Sequence, residues 1–379
     1  MKRKFSRISA RQMRKLPKGQ IHEHLDCSLD PRYMLTRWYE RGFENATIRF
    51  PKSVVLNWQA AQELRSARNR KGNGELIEKL EKRAARTYQN WLARFASKSL
   101  ANYVQAVVDH VLPIMQDSIA LYEITRKRIQ DAVEDGHIFL ELRFAPQLHT
   151  MGGLTLDQVM DAVVEAVKES PIPVKLIVCS LRHEGDKAVM KHNPVADLVD
   201  LAIRYMPYVG GFDLAADEHK YPGVLDWWLP EAERARKAGL KLTIHLWETD
   251  EPTATDLERL NEAGICRIGH GDRGDCQGDR VLEVCPTSNV VTGQYPSFAE
   301  HPVDRFYRAG KRVTVNTDGT LFTRTDLTGE YLRLQKYFGW GLRDFYTVNV
   351  TALEATSFDE ATKARLRAKL DEVYLAPRA

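Results

Sequence analysis

Eight short apolar, β-rich runs recur along the chain, at 20–24, 137–144, 173–182, 208–214, 240–246, 265–269, 281–285 and 312–317. Most are separated by stretches of helical periodicity, such as LDQVMDAVVEAVKE (156–169) and LPEAERARKAGL (229–240). Strand and helix in alternation call for a parallel sheet, and eight strands call for its closure into a (β/α)8 TIM barrel. The 379 residues suit one barrel with additions, so 1–379 is read as a single domain.

Two intervals break the repeat. Between Asp26 and His137 the chain is charged and helical, so residues about 31–130 are expected to form a helical insertion between strands one and two. The catalytic face is where long barrel loops gather. After His270, GDRGDCQGDR is shorter than the dozen or so residues a parallel crossover usually takes, so the sixth crossover is read as a loop. Residues about 326–379 read as closing helices.

Composition excludes several classes. A net charge of +4 on a chain this long gives no reason to expect nucleic acid. The basic stretch Lys2, Arg3, Lys4, Arg7, Arg11, Arg14, Lys15 and Lys18 reads as a solvated tail, and no apolar segment follows it as in a secretory signal. Apolar runs such as VKLIVCSL fall far short of the roughly 20 residues that span a bilayer. The five cysteines (Cys27, Cys179, Cys266, Cys276, Cys285) form no CxxC, which points to reduced thiols and a cytoplasmic location. Cys266 and Cys285, in apolar strands, read as core packing.

Six polar residues fall where successive strands end: His22 and His24 in IHEHLD, His245 and Glu248 in IHLWE, His270 in RIGHG, and Asp318 in VNTDG. A parallel barrel gathers such ends at one mouth. His22 and His24, one residue apart on a strand, share a face; HxH alone fits either a metal-binding pair or hydrogen-bonded core histidines. His245 can add a third imidazole and Asp318 a carboxylate. Three His, one Asp and an open position suit a catalytic zinc, which would lower the pKa of water from 15.7 towards about 7. Glu248 is either a surface carboxylate on the next helix or an acid in the cleft; His270 is either a core histidine or a base. Glu23 should point away from the lumen, and His183 and the DEH of 217–219 are read as rim residues.

These residues carry a resemblance to the adenosine deaminase family, running from about residue 16 to near 330. IHEHLDCSLDP resembles that family's HxHLDG start and YVGGFDLAADE its VVGxDLAGDE. LRFAPQLHTMGGLT, RIGHG, LEVCPTSNVVTG and HPVDRFYRAGKRVTVNTDG match as well. The resemblance implies an amidohydrolase-type barrel with one Zn2+ per chain, held by His22, His24, His245 and Asp318. It implies a catalytic set of Glu248, His270 and Asp318: Glu248 protonates a ring nitrogen, and His270 orients and deprotonates water. Asp26 would bind a ribose hydroxyl of a small-molecule substrate. The implied reaction is hydrolytic deamination of a 6-aminopurine nucleoside or related adenine derivative, releasing ammonia.

The chain departs from the family around the substrate. The family's HAGE is His245-Leu246-Trp247-Glu248, and its paired aspartates are Asp318-Gly319, removing the side chain that would contact a purine's imidazole side. Ala216 stands where a Gly approaches the pyrimidine side, Cys27 replaces the Gly after HLD, and the sixth crossover lacks its helix. Asp26, Ala216, Trp247 and Gly319 are therefore the substrate-facing positions, and a modified purine, a nucleotide or another amino-heterocycle stays open beside adenosine. A mononuclear amidohydrolase of other specificity is the alternative. A binuclear one lacks its strand-four lysine, since Lys220 lies beyond that strand end. There is no PCxxC of the cytosine-type zinc deaminases and no Gly-rich phosphate loop.

Overall fold

A computed structural model describes residues 7–67, 73–185, 194–218, 220–221, 224–248, 254–271 and 279–376. It is a (β/α)8 barrel. Its strands are β1 (Lys18–Gln20), β2 (His137–Phe144), β3 (Val174–Leu181), β4 (Val209–Ala215), β5 (Lys241–Leu246), β6 (Arg267–His270), β7 (Val281–Val284) and β8 (Arg312–Val315). Each pairs in parallel with the next in sequence.

The seam between β8 and β1 closes differently. Asn316 Oδ1 accepts from the backbone N–H of Ile21 (3.0 Å) and His22 (3.1 Å), and Gln20 Oε1 accepts from the backbone and hydroxyl of Thr317. Side-chain amides thus replace the ladder, which explains why β1 ends at Gln20 rather than at residue 24 as the sequence suggests. The HxH segment lies just beyond, pinned by bridges from Glu23 to Asp318 and from His24 to Arg143.

Barrel lumens are commonly filled by layers of branched aliphatic residues. Here part of the lumen is ionic and almost free of solvent. Arg143 pairs with Asp213 (2.9 Å) and Glu283; Arg267 pairs with Glu141 (2.6 Å) and Glu283; both arginines also donate to the carbonyl of Ile21. Each buried charge has a partner, which is the condition for keeping such groups in a low-dielectric interior.

Between β1 and β2 run the helices Pro31–Arg41, Lys52–Ser66, Gly74–Phe95, Leu100–Ala106 and Ser118–Glu134. Asp30 caps the first, accepting from the N–H of Arg32 and Tyr33 ahead of Pro31. Ser118–Glu134 packs on β2 and on Leu156–Lys168, so it belongs to the helical ring and the inserted part precedes it. The stretch read as 229–240 is the helix Leu225–Lys237, which carries Pro230 inside it. The C-terminal stretch is three helices, Leu327–Phe338, Leu342–Ala355 and Glu360–Tyr374, the first ended by Gly339 in the left-handed region.

The described part of the basic N-terminus is not a solvated tail. Ala10–Lys15 is a helix, Arg14 pairs with Asp135 and Asp326, and Lys18 is fully buried at the start of β1. Cys266 is exposed, unlike buried Cys285, because its position just before β6 faces outward. The four described cysteines are free thiols, and Cys276 lies outside the described residues, as does most of the sixth crossover. Among the described residues no helix is long and apolar enough to cross a membrane.

Glu330 is fully buried, and burial pushes its carboxyl up to about 7 against the pull of Arg333. The folded protein therefore holds a proton that the unfolded chain releases above its ordinary value of 4.5. Its contribution is fully present below that value and lost as pH rises to about 7, a penalty on the order of 3 kcal/mol. Urea unfolding of Glu330→Gln should show a gain over the parent chain at pH 8 that is absent at pH 4.5. An equal difference at both pH values would contradict the shifted titration.

Candidate active site

The six polar strand-end residues do converge at the carboxyl mouth. His22 Nε2 and His24 Nε2 each lie 3.5 Å from Asp318 Oδ1, and His24 Nε2 lies 3.1 Å from His245 Nε2. The imidazole nitrogens of His22, His245 and His270 form an overlapping cluster. Glu248 Oε2 is 3.6 Å from His270 Nε2.

Orientation comes from the other edge of each ring. His22 Nδ1 is 2.9 Å from Glu283 and His245 Nδ1 is 3.0 Å from Asp213, both lumen carboxylates gripped by Arg143. An imidazole that gives its Nδ1 proton to a carboxylate presents a bare lone pair at Nε2. Burial keeps His245 down at about 4 and His24 well below its ordinary value, so both stay neutral. Ser288 Oγ donates to Asp318 Oδ2 at 2.5 Å, leaving Oδ1 to the histidines. Gly269 of RIGHG makes room, because a Cβ there would approach the His22 ring to 3.0 Å.

These atoms fit a metal. His22 Nε2 is buried with no hydrogen-bond partner. A small divalent ion held at about 2.0–2.1 Å spaces tetrahedral ligand atoms roughly 3.3 Å apart. The observed separations of 3.1 to 3.5 Å match that spacing. Neutral imidazoles backed by carboxylates are the state in which histidine binds metal.

Backbone strain gathers at the same rim. Among the described non-glycine residues, Ala216 (φ 83°), Trp247 (φ 60°), His270 (φ 61°) and Asp318 (φ 62°) all adopt the left-handed region just after β4, β5, within β6 and after β8. Each costs on the order of 1 kcal/mol, and such residues cluster where function holds them. Trp247 is held by its N–H donating to Glu218 at 3.1 Å. That turn aims Glu248 inward, where burial, with Asp318 and Glu218 facing it, pushes the carboxyl well above its ordinary value.

A cavity of about 480 Å³ opens above the cluster. Its walls include His24, Asp26, His245, Glu248, His270, Asp318 and Ala216, with Leu100, Tyr103, Val104 and Val108 from the insertion as a roof. Asp26 is buried there and burial pushes it up to about 6. Two residues named from the sequence are not on these walls. Trp247 is packed in the core at 2% exposure, and Gly319 is covered by Tyr103 and Cys27. His183 and Asp217 line the rim, Glu23 points away and pairs with Arg128, and His219 lies outside the described residues.

Sequence reasoning missed Glu283, Asp213, Ser288 and Tyr103. The first two carried a signal: a lone acid inside an otherwise apolar strand, VLEV and GFDLA, needs a buried partner. Tyr103 gave none, because its helix lies far from the strand ends in sequence.

A closed parallel barrel with a His/Asp cluster able to hold a metal, beside a protonatable glutamate, has the form of a metal-dependent hydrolase. The family model described as adenosine deaminase matches residues 75–373. The adenosine deaminase of Mycolicibacterium vanbaalenii is 31% identical over 384 residues, covering 92% of this chain and 92% of that protein. The adenosine deaminase of Mycobacterium ulcerans is 31% identical over 385 residues, with the same shares. In solved structures, the fold is shared with an adenine deaminase from Arthrobacter aurescens (TM-score 0.72, 20% identity, 95% of this chain and 100% of that one). It is shared too with the Arabidopsis N6-mAMP deaminase (TM-score 0.74, 20% identity, 95% and 99%). The chain belongs to the adenosine deaminase family and is a hydrolase acting on carbon–nitrogen bonds.

Losing a carboxylate behind a ligating histidine typically weakens metal binding roughly 10- to 100-fold. Competition with a chromogenic chelator should show that loss for Asp213→Asn. Unchanged affinity would mean that Asp213 only balances Arg143.

Proposed function

We propose that the protein catalyses zinc-dependent hydrolytic deamination of a 6-aminopurine nucleoside or a close adenine derivative. His22, His24, His245 and Asp318 would hold one Zn2+. When bound, the ion supplies a Lewis acid that makes water nucleophilic at neutral pH. The observation that carries the reading is the pairing of this donor set with Glu248, a carboxyl 3.6 Å from His270 that burial pushes well above its ordinary value.

Glu248 holds the proton that a ring nitrogen must receive as the amine-bearing carbon is attacked. His270, 3.6 Å from Glu248 through Nε2, positions the attacking water and takes its proton. Its Nδ1 lies 3.4 Å from Asn289 Oδ1, which fixes the ring. Leu100, Val104 and Val108 from the insertion give the cavity an apolar wall beside these charges. Asp26, on the cavity wall, is placed to accept from a ribose hydroxyl. The amine then leaves as ammonia and the ring carbon gains oxygen.

The family membership and the adenosine deaminase relatives support adenosine as the first substrate to test. Lys220 on the cavity rim favours including a 5′-phosphate in the panel. Hydrolysis should be measured as ammonia released from adenosine, adenine and AMP, and as methylamine released from N6-methyl-AMP. At least one should be turned over, and Glu248→Gln should cost about 10²- to 10⁴-fold in kcat while keeping its metal. Wild-type turnover by Glu248→Gln would remove the carboxyl from its role as acid.

A further inference from the structure

The buried amide of Asn289 meets two histidines with one oxygen. Its Oδ1 lies 3.4 Å from His270 Nδ1 and 3.4 Å from His301 Nε2, and all three residues are buried. An amide can stand either way round, and its two ends impose opposite protonation on a neighbouring imidazole nitrogen. An oxygen there calls for an N–H on the ring. An NH2 calls for a bare lone pair.

The backbone decides between them. The N–H of Val303, at the first position of the helix Val303–Arg308, donates to His301 Nδ1 at 3.2 Å. It is one of the amides that a helix start leaves without an intrahelical partner. Burial, with His270 facing it, pushes His301 down to about 3, so the ring is neutral. A neutral ring that accepts at Nδ1 carries its proton on Nε2. That N–H needs an acceptor, and Asn289 supplies Oδ1. The same oxygen then requires the His270 proton on Nδ1, which leaves a lone pair on Nε2, 3.6 Å from Glu248. The Tyr295 ring packs edge-on against His301 with centroids 4.8 Å apart, which holds its direction. Asn289 Nδ2, in contrast, is buried with no hydrogen-bond partner among the described residues. The two imidazoles are thus what sets the amide, and a flip would relieve Nδ2 by turning it towards His270.

We propose that His301 is a positioning residue for the base. By donating to Asn289 Oδ1 it keeps that oxygen towards His270, and so keeps the His270 lone pair on Nε2. This rests on the deaminase reading above, in which Nε2 takes the proton of the attacking water. His301 is not among the residues that wall the cavity, so it acts through Asn289 and His270. Without it the amide is free to turn its NH2 to His270, which drives the ring proton to Nε2 and removes the base.

The test reads the tautomer directly. Zinc-loaded protein with isotope-labelled histidine is compared by long-range proton–nitrogen NMR as parent, His301→Phe and His301→Gln. The His270 signals are identified by their loss in His270→Gln, and circular dichroism checks the fold of each variant. The parent should carry the His270 proton on Nδ1. In His301→Phe it should move to Nε2, with kcat on the best substrate of the panel falling about 10²-fold while KM changes little. His301→Gln offers an oxygen to Val303 and an N–H to Asn289, so it should recover the tautomer and most of the rate. A parent proton on Nε2 would overturn the assignment and needs no variant, so a His301→Phe that fails to fold does not shelter it. The parent tautomer persisting in His301→Phe, or a changed tautomer at unchanged rate, would overturn it as well. The expected tautomer change with no turnover by any of these proteins keeps the His301 contact and removes the deaminase.

Discussion

One buried arginine organises the centre of this protein. Arg143 reaches across the lumen to Asp213 and to Glu283, and each of those carboxylates orients one histidine of the candidate metal site. Without the cation, Asp213 would lose its guanidinium partner and Glu283 would keep Arg267 alone, at large cost in a nearly dry interior. Without the carboxylates, His22 and His245 would lose the partner that fixes their tautomer. The same guanidinium holds the carbonyl of Ile21, one residue before the HxH pair begins. Fold and site thus share one electrostatic network, which Arg267 joins through Glu283 and the same carbonyl.

The upper layer is positioned at a cost. Left-handed backbone at Ala216, Trp247, His270 and Asp318 turns the chain sharply as it leaves or ends four strands. The seam bridge between Glu23 and Asp318 locks Asp318 beside His22 and His24 through the His24 N–H, which donates to the Asp318 carbonyl at 2.7 Å. Candidate ligands from β5 and from both sides of the seam are thereby held by main chain rather than by flexible stems, the arrangement that gives a preorganised site. The insertion then supplies the roof, so part of the cavity lining comes from outside the barrel repeat.

Much of this was legible in the sequence. Seven of the eight strands stand within a few residues of their apolar runs, because β-branched segments between amphipathic helices have few alternatives. The six polar strand ends are together because a parallel barrel allows little else. β1 was misjudged because amide side chains of Gln20 and Asn316 replace backbone pairing, a substitution no periodicity reveals. The ionic lumen was missed since an Arg or Glu within a strand reads as outward-facing until partners from distant strands are known. Trp247 looked like a pocket wall because it precedes Glu248. Its positive φ instead sends the indole into the core, and Tyr103 takes a place at the cavity wall that sequence spacing could not assign.

The account depends on one ion held by four side chains. Elemental analysis of the purified protein, with Asp318→Ala alongside, tests this most directly. The prediction is one zinc per chain in the parent and its near-complete loss in the variant, with the barrel still folded by circular dichroism. Two metals per chain, or a parent that deaminates its substrate at full rate with none, would contradict it.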